Sequence, residues 1–168
     1  TSPSGGGVFS LLSTLTITNS VIVGNSAREG GGIRSDTSTL TVANSTISGN
    51  TAFDSTGRSG GGILASGSPV TILNSTISGN SVGGATAGQG TGGGIYQISN
   101  SLVVTNSTIS GNSAGNNGGG IRISSGTLTV TNSTISGNST QFGGGIASTS
   151  PAATIVNSTV SGNTASFF

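Results

Sequence analysis

The sequence predicts an all-β protein, a right-handed parallel β-helix, from two repeated motifs and the constant distance between them. The heptapeptide NSTISGN occurs at residues 44–50, 74–80, 106–112 and 132–138, with near-copies at 19–25 and 157–163. A GGG run followed by Ile or Val begins at residues 5, 30, 60, 92, 118 and 143, and the first Asn of each heptapeptide lies 14 residues further on. Each repeat is a constant block of 21 residues, and only the connector to the next GGG changes in length. Such repeats are typical of stacked coils with one variable loop per coil.

The block is predicted to form about three short strands: one after GGG, one across a segment such as LTV, and one across TIS. Apolar and polar residues alternate in these segments, as in half-buried strands, and no segment has the 3.6-residue period of a helix. A single coil cannot bury its own apolar face, whereas stacked coils bury it against each other at a spacing of about 4.8 Å. The right hand follows because crossovers between parallel strands overwhelmingly take that hand.

The stack predicts one β-solenoid domain over residues 1–168, with coils at about residues 5–29, 30–59, 60–91, 92–117, 118–142 and 143–168. Its core is expected in three inward columns with one apolar residue per coil. The columns contain Leu15, Leu40, Val70, Leu102, Leu128 and Ala153; Ile17, Val42, Ile72, Val104, Val130 and Ile155; and Ile22, Ile47, Ile77, Ile109, Ile135 and Val160.

Both asparagines of the heptapeptide are predicted to stack as ladders at two corners of the coil. The first ladder contains Asn19, Asn44, Asn74, Asn106, Asn132 and Asn157, and the second contains Asn25, Asn50, Asn80, Asn112, Asn138 and Asn163. Each amide can bond its copies above and below, which stabilises in-register parallel strands. Both ladders are expected to point inward, where pairing offsets the cost of burial. Sequons at Asn44, Asn74, Asn106, Asn132, Asn138 and Asn157 are therefore expected to be poor glycan acceptors.

The composition excludes several classes of function. The chain has four Arg, no Lys, His or Cys, and a net charge of +1, so neither a nucleic-acid-binding surface, a thiolate metal site nor a disulfide is expected. No apolar run reaches about 18 residues, so no membrane-spanning helix is expected. The three acids, Glu29, Asp36 and Asp54, fall at different positions of the coil. Without clustered carboxylates, we expect neither an enzyme nor a bound metal or cofactor.

Outward positions of the TIS strand form a regular hydroxyl array. The array contains Thr46, Ser48, Thr76, Ser78, Thr108, Ser110, Thr134, Ser136, Thr159 and Ser161. Its rows repeat about 4.8 Å apart along the stack, and it is similar to the flat Thr faces of some ice-binding antifreeze proteins. The interpretation that we favour is that hydroxyl-bearing, β-branched residues suit the solvent side of a strand.

The combination of GGG-Ile with Ile-Ser-Gly-Asn resembles the GGAI and FxxN repeats of the chlamydial polymorphic outer-membrane proteins and of related bacterial surface proteins. The resemblance covers residues 5–163, although Ile or Val stands at positions 22, 47, 77, 109, 135 and 160, where that family has Phe. It implies a secreted β-helical passenger that takes part in adhesion or surface display.

These observations predict a structural element of bacterial type, secreted to the extracellular space or the cell surface: a surface fibre, a stalk or an adhesin module. Low charge and the absence of recognisable caps favour association with itself, head to tail or as part of a longer solenoid. The long connectors at residues 51–59 and 81–91 are the expected contact with a host surface or glycan. The alternatives are an ice-binding protein that uses the hydroxyl array and, third, a carbohydrate-binding or carbohydrate-processing β-helix.

Overall fold

A computed structural model describes residues 4–53, 59–83 and 90–166 and confirms an all-β parallel β-solenoid of six coils. The strands pair in parallel with their equivalents in the neighbouring coils. Within the described ranges, no helix is long and apolar enough to cross a membrane.

The strands are short and follow one another around each coil. The first coil contains β1 (Val8–Leu11), β2 (Thr14–Thr18), β3 (Val21–Val23) and β4 (Ser26–Ala27). The second contains β5 (Ile33–Asp36), β6 (Thr39–Ala43), β7 (Thr46–Ser48) and β8 (Thr51–Ala52). The third contains β9 (Ile63–Ser66), β10 (Val70–Leu73), β11 (Thr76–Ser78) and β12 (Ser81–Val82), and the fourth contains β13 (Ile95–Gln97), β14 (Ser101–Thr105) and β15 (Thr108–Ser110). The fifth contains β16 (Ile121–Ile123), β17 (Thr127–Thr131), β18 (Thr134–Ser136) and β19 (Ser139–Thr140), and the sixth contains β20 (Ile146–Ser148), β21 (Ala152–Val156), β22 (Thr159–Ser161) and β23 (Thr164–Ala165).

Equivalent strands form three six-stranded sheets along the stack. Sheet 1 contains β1, β5, β9, β13, β16 and β20; sheet 2 contains β2, β6, β10, β14, β17 and β21; and sheet 3 contains β3, β7, β11, β15, β18 and β22. A fourth segment after the Gly-Asn corner forms sheet 4 from β4, β8 and β12 and from β19 and β23, which isolated bridges at Ser113 connect. The sequence prediction of three strands missed this segment because two residues are too few to show alternation.

The strand register places the three predicted apolar columns inside the stack. In sheet 2, Leu40, Val70 and Leu102 share one register, and all three side chains are buried. A fourth column, which the sequence prediction did not include, comes from the Ile after GGG and contains Ile33, Ile63, Ile95 and Ile121. In the sixth coil, Ile155 and Val160 are 47% and 49% exposed, because only one neighbouring coil packs against them.

Neighbouring coils approach each other most closely at the GGG run. A Cβ on Gly61, the middle glycine of the third coil, would lie 2.3 Å from the carbonyl oxygen of Gly93 in the next coil, closer than real Cβ atoms come. Gly49, at the Gly-Asn corner, is required because of its backbone conformation. Its φ of +60° favours glycine, although a Cβ there would lie in open space. The glycine-rich composition therefore follows from the close coil contact and from the corner.

Candidate functional surfaces

The second asparagine of the heptapeptide forms a buried ladder, which we call the inner Asn ladder: Asn25, Asn50, Asn80, Asn112, Asn138 and Asn163. Oδ1 of Asn112 accepts the backbone N–H of Asn80 at 2.9 Å and its Nδ2 at 3.0 Å. Nδ2 of Asn112 donates to Oδ1 of Asn138 at 2.9 Å and to the carbonyl oxygen of Ile77 at 3.0 Å. Asn112 is fully buried, and these four bonds satisfy its amide completely.

The first asparagine of the heptapeptide lies at the corner between sheets 2 and 3 and is exposed, so the prediction that it points inward is wrong. We call this set the outer Asn row: Asn19, Asn44, Asn74, Asn106, Asn132 and Asn157. All six have φ between 47° and 52°, the left-handed conformation that Asn tolerates better than most residues. Bonds of 3.2 Å join Nδ2 of Asn74 to Oδ1 of Asn44 and Nδ2 of Asn106 to Oδ1 of Asn74. Burial therefore argues against a glycan at Asn138 but not at the sequons of this row.

The buried ladder at this corner is made by the next residue, which sequence reasoning missed. We call it the Ser ladder: Ser20, Ser45, Ser75, Ser107, Ser133 and Ser158. The backbone N–H of Ser75 donates to Oγ of Ser107 at 3.1 Å, and Oγ of Ser75 donates to the carbonyl oxygen of Leu73 at 2.7 Å. The available signal was that Ser follows the first Asn in all six repeats, although the turn alone does not require it.

The hydroxyl array lies on the outer face of sheet 3. Thr76 and Ser78 pair in register with the equivalent residues of both neighbouring coils, and Ile77 between them is fully buried. In the first coil, Val21 and Val23 take the equivalent positions and are exposed. The array therefore extends over five coils, and no strand of sheet 3 contains a charged residue.

The charged residues that the structure describes lie on the sheet 1 side of the coil, in that sheet or in the connector before it. Nε of Arg34 donates to Oδ2 of Asp36 at 2.8 Å, and Nη1 of Arg34 pairs with Glu29. Both described acids are thus bound to one guanidinium. No group of three or more His, Cys, Asp or Glu that could hold a metal ion occurs in the described ranges. Asp54 and the central parts of the connectors 51–59 and 81–91, residues 54–58 and 84–89, lie outside them.

A family model described as the right-handed β-helix region matches residues 1–165. The chain belongs to the right-handed β-helix family. No curated protein and no solved structure matches the chain. The narrower resemblance to the chlamydial repeats stays a prediction. Membership of the right-handed β-helix family accounts for the fold, and the function has to be argued from the surfaces.

A shallow groove of about 380 Å³ lies at the corner between sheets 1 and 2 in the first three coils of this right-handed β-helix. Its lining contains Leu12, Ser13, Thr14, Thr37, Ser38, Thr39, Gly67 and Pro69. The polar groups of this lining are hydroxyls and backbone atoms, and none of its side chains titrates near neutral pH. The groove therefore offers hydrogen bonds but neither an acid nor a base for catalysis.

Proposed function

We propose that this right-handed β-helix is a structural module of a secreted, bacterial-type surface protein and acts as part of a fibre, a stalk or an adhesin. The observation that carries the proposal is the inner Asn ladder, which runs without interruption from Asn25 to Asn163 through all six coils. The Ser ladder and the sheets pair the same coils at other points of the cross-section. Such continuous pairing makes a stiff rod, which suits mechanical display.

The inner Asn ladder is polar along the stack, and this polarity supports axial continuation. Asn50 donates its backbone N–H and its Nδ2 to Oδ1 of Asn80 in the next coil, and the other rungs repeat this direction. The ladder therefore ends at the first coil in an acceptor, Oδ1 of Asn25, and at the sixth coil in the N–H donors of Asn163. In the sixth coil, the apolar side chains of Ile155 and Val160 are also half exposed. A further coil, from the same chain or from another copy, would pair these groups and bury these side chains.

The surface of sheet 1 and of the connectors before it contains both Arg and aromatic side chains, which supports a contact with a partner there. Arg34 and Arg122 occupy one register position of sheet 1, at which Leu64 and Tyr96 are buried. Phe53 and Phe142, in the connectors before this sheet, are 50% and 46% exposed. Aromatic and Arg side chains are enriched at protein interfaces. We place the contact with a host surface or glycan here, beside the connectors 51–59 and 81–91.

We further propose that the module is not an enzyme. Arg34 engages both Glu29 and Asp36, so these carboxylates are bound to a guanidinium of the same chain, and the described residues include no second carboxylate pair that could act as acid and base. The check is a triple variant, Glu29→Gln, Asp36→Asn and Asp54→Asn, tested on a panel of polysaccharides beside the unaltered chain. An activity of the unaltered chain that the triple variant loses would contradict the proposal.

Location and assembly are tested by two imaging experiments. Antibodies against the purified chain should label intact, unpermeabilised cells of the source organism, and label that appears only after permeabilisation would contradict surface display. Electron microscopy of the concentrated chain should show unbranched fibres, and their diffraction should contain an axial spacing of about 4.8 Å. Discrete particles at every concentration would contradict self-association while leaving surface display intact.

A second candidate function, ice binding, is favoured by the uninterrupted register of the hydroxyl array and by the absence of charge from sheet 3. Thermal hysteresis of the purified chain would be the expected result. Thr108→Lys, in the centre of the array, should then abolish it, whereas Thr129→Lys on the outer face of sheet 2 should not. Absence of hysteresis in the unaltered chain would eliminate this candidate.

A further inference from the structure

Asn100, in the fourth coil, occupies a corner between sheets 1 and 2 where the second and third coils have Ser38 and Ser68. The backbone N–H of Ser38 donates to Oγ of Ser68 at 3.0 Å. The side chain of Asn100 makes a different contact: its Oδ1 accepts the backbone N–H of the following residue, Ser101, at 3.0 Å. Asn100 is exposed, with a φ of 82°.

The local contact at Asn100 is explained by Gln97. In the second coil, the N–H of Thr39 donates to the carbonyl oxygen of Ser13 in the preceding coil at 3.0 Å. The equivalent acceptor for the fourth coil is the carbonyl oxygen of Ser68, and Nε2 of the buried Gln97 donates to it at 2.7 Å. The N–H that follows Asn100 is therefore directed to the Asn side chain instead of to another coil.

We propose that Asn100 is a site of spontaneous deamidation. The backbone nitrogen of Ser101 loses its proton to a solvent base and forms a bond to Cγ of Asn100, while Nδ2 gains a proton and leaves as ammonia. Water then opens the five-membered succinimide at one of its two carbonyl carbons, which produces aspartate or isoaspartate without a change of oxidation state. The observed contact holds the attacking nitrogen 3.0 Å from Oδ1, the atom bonded to the carbon under attack.

The fold protects the outer Asn row of the central coils from the same reaction. The attacking nitrogen for Asn106 would be that of Ser107, whose N–H donates to Oγ of Ser133 in the next coil at 3.1 Å. The Ser ladder makes the same bond, at 3.0–3.1 Å, after Asn44, Asn74 and Asn132. Because these hydrogen bonds tie the nitrogen to a neighbouring coil, whereas the one at Asn100 ties it to the side chain of Asn100 itself, ring closure in the outer Asn row requires local opening.

The inner Asn ladder of the central coils is protected in an equivalent way. The residues that follow Asn50, Asn80, Asn112 and Asn138 each donate their N–H to the backbone carbonyl of the ladder Asn in the preceding coil, at 2.9 Å in all four cases. These four amides are also fully buried. Ring closure at any of them would break both the ladder and the coil contact.

Asn117 provides the sharpest contrast, because glycine follows it and offers no side chain to hinder ring closure. Asn-Gly is therefore the most reactive dipeptide of this chain when the chain is unfolded. In the fold, the N–H of Gly118 donates to the carbonyl oxygen of Phe142 at 3.0 Å. In the unfolded chain Asn117 deamidates faster than Asn100, whereas in the folded chain Asn100 deamidates faster than Asn117.

Deamidation at Asn100 would change the surface of a chain that has few charges. The net charge of +1 would fall by one unit to zero, and the new carboxylate would lie at an exposed corner. This modification goes beyond the proposed structural role, because the rod would gain a carboxylate with age at one defined corner.

The test is incubation of the folded chain at mildly alkaline pH, with peptide mapping and isoaspartate detection at successive times. Asn100 should be modified at least about tenfold faster than Asn106, the ratio expected from one protecting hydrogen bond, and faster than Asn117 by a smaller factor, because the glycine after Asn117 offsets part of the protection. In denaturant, Asn117 should become the fastest, and Asn100 and Asn106, both followed by Ser, should react at similar rates. An Asn100 rate no higher than that of Asn106 in the folded chain, or the same order in denaturant, would overturn the proposal.

Two variants test whether the hydrogen bond of the following N–H, and not exposure alone, sets the rate of deamidation. Ser133→Ala removes the acceptor for the N–H of Ser107, so deamidation of Asn106 should accelerate by about tenfold, whereas Asn74, whose protecting bond is intact, should keep its rate. Asn100→Gly tolerates the positive φ and should remove the early isoaspartate signal of the central coils from the folded chain. An unchanged rate at Asn106, or an early signal from the central coils that persists without Asn100, would overturn the proposal.

Discussion

The inner Asn ladder and the outer Asn row contain the same residue six times each, at the same spacing along the stack, yet they serve the fold in opposite ways. Asn112 of the inner ladder is fully buried and stabilises the stack through its side-chain amide. Asn106 of the outer row is exposed and serves the corner through its backbone, with a φ of 49°. A repeated residue in a solenoid therefore signals a structural requirement, but the requirement concerns the side chain in one case and the backbone in the other.

The largest effect is expected for Asn112→Ala, which removes four buried hydrogen bonds. The N–H and Nδ2 of Asn80 would lose their acceptor, and the carbonyl of Ile77 would lose a donor. Because unpaired buried groups cost about 1–3 kcal/mol each and the coils relax in part, we expect the free energy of unfolding to fall by about 4 kcal/mol. Urea unfolding followed by circular dichroism measures it. A loss no larger than that of Asn106→Ala would mean that the two sets are equivalent after all.

Gly94→Ala approaches the inner Asn ladder from the opposite side. A Cβ at this position would lie 3.1 Å from Cγ of Asn112 and 2.6 Å from the carbonyl oxygen of Gly120. Overpacking of this kind costs about 1–3 kcal/mol, and the melting temperature should fall accordingly. Gly83→Ala is the matched control, since a Cβ there meets no atom of the described residues within 4 Å. Equal melting temperatures for the two variants would contradict the close contact.

Ser107→Ala tests the ladder that lies beneath the outer Asn row. It leaves the N–H of Ser75 without its acceptor and removes one of the two donors to the carbonyl of Thr105, which keeps the N–H of Asn74. We expect a loss of about 1–2 kcal/mol in the free energy of unfolding. Ser110→Ala, in the hydroxyl array of the same coil, should change it by about 0.5 kcal/mol or less. If the array variant were the more damaging one, the buried role of the Ser ladder would be wrong.

The smallest effect is expected within the outer Asn row itself. Asn106→Gly should be close to neutral, because glycine accepts a positive φ without strain, whereas Asn106→Ala should cost about 1 kcal/mol. Paired thermal melts of the two variants measure the difference. Glycine as destabilising as alanine would show that the side chain, and not the backbone, is what this corner needs.

The apolar columns and the coil register could be predicted from the sequence because each strand has a period of two and each block a constant length. Leu40, Val70 and Leu102 therefore fall at equivalent positions without any knowledge of the contacts. The direction of the corner residues could not be predicted this way. Alternation stops at Asn44, and whether it or Ser45 faces the interior depends on a backbone dihedral that no pattern encodes.

The sequence by itself determined the cross-section, the number of coils and the position of the variable loop, since exact repetition leaves one way to bury the apolar face of every coil. The tertiary structure alone decided which polar side chains are buried and which backbone amides are protected. The physical reason is that these properties depend on contacts between coils. The acceptor for Ser107 is a hydroxyl one coil away, and the contact at Asn100 depends on a bond from Gln97 to the preceding coil.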